Sequence, residues 1–218
     1  MLTKIFNLLS GPKTLEVVNS KYNGEIKVVR DWSWGTLIIV KGLTQSGGII
    51  ANIWQNILKK ITQEKPHVKS CLILGLGGGT CAKIVSQYWV GAEILGVDID
   101  KKIVELGKKY LSLDKINIKV VIMDAAKFIS NSPNLYDLII VDLYNGDRYP
   151  EKFEQSGFIK EVKSHLSKNG IAIFNRLYGK NQKPKTIEFG KKLEKVFQKV
   201  NYIYPKANLA IVCYTQED

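Results

Sequence analysis

KSCLILGLGGGTCAKIV, residues 69–85, decides how the rest of this chain is read. The continuous apolar run Cys71–Leu74 predicts a buried strand. It breaks at Gly75, Gly77, Gly78 and Gly79 and restarts as a helix at about Thr80. A strand, a glycine turn and a helix in that order present free backbone N–H groups to a ligand. Glycine supplies both the positive φ of such a turn and the close approach of main chain to ligand. Nineteen residues past Gly79, Asp98 ends the second apolar run, ILGVDID. A carboxylate at that strand tip is placed to accept hydrogen bonds from two ribose hydroxyls, which implies a nucleoside cofactor. The segment GGGTCA, residues 77–82, also fits G-x-G-x-x-[GA], so the glycines alone do not separate NAD from S-adenosylmethionine (SAM).

Composition narrows the classes. The 218 residues are 45% apolar and 24% charged, as in a soluble globular chain. The formal charge of +12 raises nucleic-acid binding, but Arg30, Arg148 and Arg176 are the sole arginines among 32 basic residues. Base readout and bidentate phosphate contacts favour arginine, so the lysines read as solvated helix faces with nonspecific polyanion affinity. No apolar run approaches membrane-spanning length, and MLTKIFNLLSGP makes a poor signal peptide, so the expected location is cytoplasmic. Cys71, Cys81 and Cys213 have no metal or disulfide spacing, and His67 and His165 have no clustered ligands, so no metal is implied.

Working outward, residues 1–45 read as an N-terminal β-hairpin region, with strands in GEIKVVRD and WGTLIIVKG. Trp32 and Trp34 at its turn would cover either the core or a subunit interface. Residues 46–218 read as the catalytic domain. Ile50, Ile53, Trp54, Ile57, Leu58 and Ile61 predict an amphipathic helix from Gly47 to about Thr62. Strands are then expected near 70–75, 93–98, 117–122, 136–142 and 170–176. The helices between them fall near 80–89, 100–111, 124–130 and 151–167. A last helix near 185–198 would bury Phe189, Leu193, Phe197 and Val200. The runs VNYIY and LAIVCY follow, separated by Pro205-Lys206-Ala207-Asn208. So short a connector forbids a crossover helix, so these strands must be antiparallel. The expected architecture is α/β, a mostly parallel seven-stranded sheet closed by an antiparallel hairpin, which resembles a class I SAM-dependent methyltransferase fold.

In such sheets ligands bind outside the carboxyl ends of the strands. That rule selects the loop Gly75, Gly77, Gly78 and Gly79, then Asp98, then Asp124 with Ala125 for the adenine. It also selects Asp142 nearest the reacting sulfonium. Asp100 reads as a helix N-cap, and for Asp124 cap and adenine contact are compatible. Tyr144 and Asn145 either line the acceptor pocket or make the turn before Pro150.

The order LILGLGGGT, VDID, DAAKFI, YDLIIVD and LSKNGIAIFN is similar to the polyamine aminopropyltransferases (spermidine synthases), over roughly residues 24–215. The resemblance implies an N-terminal β-region, Gln45 at the cofactor site, and transfer of an aminopropyl group from decarboxylated SAM to a diamine, typically in a homodimer. This sequence departs from the family at three places. Gly77 stands where the glycine loop carries aspartate. Asn145 replaces the second aspartate of D-x-x-D, of which Asp142 is kept. Trp54-Gln55-Asn56 stands in place of Tyr-His-Glu. Asp147 and Glu151 are the nearby acidic residues available as substitutes.

Gly77 removes a charge that would repel the SAM carboxylate, and is expected to leave N–H groups free to bind it. The leading expectation is therefore SAM-dependent methyl transfer to a small amine-type acceptor, with Asp142 orienting the acceptor and taking its proton. The alternative is aminopropyl transfer from decarboxylated SAM. From another class, the chain would be a non-catalytic SAM- or nucleic-acid-binding module.

Overall fold

The computed structural model describes residues 11–146, 148–205 and 208–215. Asp147, Lys206, Ala207 and the N-terminal stretch 1–10 lie outside the described residues.

Two sheets form. The first is antiparallel, in the order β1 (Lys13–Ser20), β2 (Gly24–Asp31), β3 (Gly35–Val40) and β4 (Leu43–Gly47). The expected hairpin is only its middle pair. KTLEVVNS and LTQSG are polar enough to read as loops, and their pairing with β2 and β3 makes them strands. Strand β4 also runs through position 45, where the N-terminal region was expected to end. Trp32 and Trp34 are exposed at the β2–β3 turn rather than in the core.

The second sheet contains β5 (Ser70–Leu74), β6 (Glu93–Asp98), β7 (Ile118–Ile122), β8 (Tyr136–Val141), β9 (Leu166–Leu177), β10 (Lys199–Ile203) and β11 (Asn208–Tyr214). Its order is β10-β11-β9-β8-β5-β6-β7. β11 is antiparallel to both of its neighbours, as the short connector requires, and pairs β5–β6, β6–β7, β5–β8 and β8–β9 are parallel. The strand order reverses between β5 and β8, so the glycine loop after β5 and Asp142 after β8 flank one crevice.

The helices are α1 (Gly48–Glu64), α2 (Thr80–Tyr88), α3 (Lys101–Leu111), α4 (Ala125–Asn131), α5 (Ser156–Ser164) and α6 (Lys183–Glu194). Alternation along β5 divides the core. Cys71 and Ile73 pack with α1, α2 and the N-terminal sheet, whereas Leu72 and Leu74 face the side of α5 and α6. On α1 the predicted stripe Ile53, Trp54, Ile57, Leu58 and Ile61 is buried, each side chain contributing about 1.5–3 kcal/mol.

Several boundaries differ from expectation, among them the start of β9 at Leu166 and the end of α6 at Glu194. The helix expected over 151–167 is a 3-10 turn, Glu151–Glu154, followed by α5, because Gln155 turns to extended backbone (φ −73°, ψ 142°). Of the residues expected on the last helix, Phe197 is buried just beyond its end and Val200 belongs to β10, paired with Cys213.

Candidate active site

Asp100 caps α3 by accepting from the Lys102 N–H at 2.9 Å, as expected. Its other oxygen accepts from Ser20 Oγ and, at 2.6 Å, from Asn23 Nδ2. This buried carboxylate therefore ties the β1–β2 turn to the start of α3. A second junction lies at the glycine loop. Ser46 Oγ accepts from the Gly78 N–H at 2.8 Å, and Thr80 Oγ1 accepts from the Gly47 N–H at 2.7 Å. The N-terminal sheet is in this way built into the wall of the crevice.

The crevice encloses a cavity of about 310 Å³. Nine of the residues selected from sequence line it: Gln45, Gly75, Gly77, Asp98, Asp124, Ala125, Asp142, Tyr144 and Asn145. Gly78 and Gly79 are not among its lining residues. They are packing positions, since a Cβ on Gly78 would lie 2.7 Å from Ile38 Cδ1, and one on Gly79 2.4 Å from Leu113 Cδ1. On α3, Gly107 abuts the loop so closely that its own Cβ would sit 2.5 Å from the Gly78 carbonyl oxygen.

The two carboxylates nearest the loop share an electrostatic situation. Asp98 Oδ2 accepts from the Gly77 N–H at 2.7 Å and Oδ1 from the Asp100 N–H at 2.9 Å. Burial dominates these bonds and pushes its carboxyl up to about 6. The Gly77 N–H is therefore already engaged, contrary to the expectation that it stands free for a donor carboxylate. Asp142 accepts from Asn175 Nδ2 at 2.8 Å. Burial pushes it up to about 6 as well, opposed by hydrogen bonds from Asn175 and Trp54 and reinforced by the nearby Asp98 charge.

Asp124 caps α4, one of its two expected roles, accepting from the Ala126 and Lys127 N–H groups at 3.1 and 3.2 Å, and it also lines the cavity. Burial acts to raise its carboxyl, but the Lys152 ion pair and the two backbone donors outweigh burial and hold it below the usual range.

Tyr144 and Asn145 both line the cavity. Asn145 and Arg148 bridge a tight turn, N–H to carbonyl at 2.9 and 3.2 Å, while Asn145 still lines the cavity. The Tyr144 hydroxyl accepts from the Leu177 N–H at 2.6 Å, and its buried phenol is pushed well above the ordinary range. Gln45 Nε2 donates to the Gly146 carbonyl at 3.3 Å. Cys81 lines the cavity, but burial raises its thiol, so it is a packing group.

Beyond Tyr144, Asn145 and Pro150 opens a wider groove of about 910 Å³, which Glu151, Glu154 and Arg176 also line. Arg176 Nη2 pairs with Glu154 Oε1 at 2.5 Å; of the two acidic residues expected as substitutes the structure describes Glu151, which is exposed.

Sequence reasoning missed Tyr22, Asn23, Ser46, Trp54, Lys152 and Asn175. Trp54, part of the segment that departs from the family's Tyr-His-Glu, lines the cavity and bonds Asp142. Asn175 carried one usable signal, a single amide ending the apolar run IAIF. Among the described residues, no group of three His, Cys, Asp or Glu is placed to hold a metal, and no helix is long and apolar enough to cross a membrane.

A glycine loop and two strand-tip carboxylates around one crevice at the switch point of a mostly parallel sheet define a Rossmann-like α/β fold with a cofactor-type crevice. Residues 55–215 match the family described as "Spermine/spermidine synthase domain". The chain belongs to that family. It is 30% identical to the polyamine aminopropyltransferase of Clostridium botulinum (strain Eklund 17B / Type B), over 66% of this chain and 55% of that protein. The polyamine aminopropyltransferase 1 of Aquifex aeolicus (strain VF5) is 28% identical, over 68% of this chain and 55% of that protein. The chain thus spans about half the length of these curated relatives. A crystal structure of spermidine synthase in complex with the transition state analogue AdoDATO superposes with TM-score 0.80 at 16% identity, covering 94% of this chain and 75% of that one. This last likeness bears on the fold alone.

Proposed function

We propose that this protein transfers an aminopropyl group from decarboxylated SAM to a small amine, the alternative among the sequence expectations. Family membership favours this reading over methyl transfer. The argument for methyl transfer is also weakened, because loop N–H groups expected to be free for the SAM carboxylate are engaged, Gly77 by Asp98, Gly78 by Ser46 and Gly79 by the Leu76 carbonyl.

The observation that carries the proposal is the pair Asp98 and Asp142, at the tips of β6 and β8, lining one cavity with the glycine loop between them. In this reading Asp98 holds the ribose, Asp124 and Ala125 the adenine, and Gln45 with Gly75 and Gly77 the rest of the donor. The acceptor enters from the groove past Tyr144 and Asn145. Its nitrogen lone pair attacks the aminopropyl carbon, the C–S bond breaks, and the electron pair goes to sulfur, which leaves as a neutral thioether. The protein supplies mainly alignment and a water-poor cavity. Freeing an amine of pKa about 10.4 from its proton costs on the order of 4–5 kcal/mol at neutral pH. Asp142 is the group placed to orient that amine and take the proton.

The test incubates the protein with decarboxylated SAM and putrescine or spermidine, and in parallel with SAM. Formation of methylthioadenosine together with a lengthened polyamine is the expected result. A methylated acceptor and S-adenosylhomocysteine from the SAM arm would restore methyl transfer.

A further inference from the structure

Behind Asp142 lies a chain of two buried amides that the cavity itself does not require. Asn208 Nδ2, from β11, donates to Asn175 Oδ1 at 3.0 Å, and Asn175 Nδ2, from β9, donates to Asp142 Oδ1 at 2.8 Å. Both asparagines are 6% exposed, and neither lines the cavity. Burying two amides at the end of an apolar sheet is costly unless their polar atoms are paired.

We propose that Asn208, acting through Asn175, is a positioning residue that fixes Asp142 as a proton acceptor; its catalytic meaning rests on the function proposed above. A carboxamide has one accepting end and one donating end. With Asn208 donating to the Asn175 oxygen, the Asn175 NH₂ faces Asp142. That NH₂ can only donate, so Asp142 Oδ1 can only accept. Trp54 on α1 adds a second bond that favours the ionised form. The titratable groups facing Asp142 are Asp98 from β6, Cys81 from α2 and Tyr144 after β8. The Asp98 charge works in the opposite direction, raising the proton affinity of Asp142. The amide chain opposes that push and keeps one carboxylate oxygen as a directed base. It also gives the antiparallel strand β11 a role in the site.

The test titrates the full chain, labelled with ¹³C at the aspartate carboxyls, by NMR, with the Asp142 signal identified by its loss in Asp142→Asn. Asn208→Leu removes the donor, and the Asp142 midpoint is expected to rise by about one pH unit. Asn208→Asp keeps the shape but demands the Asn175 NH₂ for itself, turning the Asn175 carbonyl toward Asp142. Its midpoint is expected to rise further, and this near-isosteric variant carries the test if the leucine variant does not fold. Unchanged midpoints in folded variants would overturn the proposal, even if stability fell. In an active enzyme the acid limb of the turnover profile moves with the NMR midpoint. Absence of aminopropyl turnover in the parent would count against the proposed function alone, because the NMR titration still decides the relay.

Discussion

The Gly77 N–H donates to Asp98 Oδ2 across 2.7 Å, so the glycine loop and the tip of the neighbouring strand form a single unit. Asp98 therefore has two tasks, shaping the loop and facing the cavity. Asp98→Ala is expected to weaken binding of an adenosine-based donor by about 2–4 kcal/mol, the size of two charge-assisted hydrogen bonds. Calorimetry with methylthioadenosine on both forms checks it. Because burial pushes this carboxyl up to about 6, parent affinity should decline as pH falls from 7 to 5, whereas that of Asp98→Ala should not.

Asp142 gives a stability signature with a definite sign. Its folded pKa of about 6 lies above the ordinary value of 3.8. Between those values the folded state binds more protons than the unfolded one, so this group favours folding at low pH and loses that contribution as pH rises toward 6. Asp142→Asn should therefore be more stable than the parent at pH 7, by about 2–3 kcal/mol, and the gain should vanish toward pH 4. Urea unfolding midpoints of both proteins across that range measure it.

Asp124 can be tested for its two roles separately. Asp124→Ser preserves a capping oxygen for α4 but withdraws the carboxylate from Lys152 and the cavity. Thermal stability is expected to hold within about 1 kcal/mol, since Lys152 is half exposed and solvent screens the pair. Adenosine affinity should drop several-fold while that of a ribose phosphate stays level. Equal losses for both ligands would leave Asp124 as a cap only.

At the contact between α3 and the glycine loop, space is the limiting quantity. A methyl group on Gly107 would lie 2.5 Å from the Gly78 carbonyl oxygen, a backbone atom that cannot rotate away. Gly107→Ala is expected to cost about 1–3 kcal/mol despite the better helix propensity of alanine. Denaturant midpoints report the loss, and donor affinity should fall with it because the loop is displaced.

The sequence by itself determined the order of elements after residue 69, the glycine turn, the strand-tip aspartates and the antiparallel ending. Each of these depends on local chain properties: apolar run length, glycine conformational freedom, connector length. Tertiary structure decided what local pattern does not encode. β1 and β4 are polar segments that become strands only through pairing with β2 and β3. Which glycines face the cavity was set by contacts of Gly78 and Gly79 with Ile38 and Leu113, on a strand and a turn far away in sequence. The Asp142–Asn175–Asn208 chain joins residues each 33 positions apart. Its existence follows from strand order β8-β9-β11 and from the register that pairs Asn175 with Ala210. Side chains so distant along the chain meet only when several strands have chosen their neighbours together, and that choice is made by burial over the whole sheet rather than by any one segment.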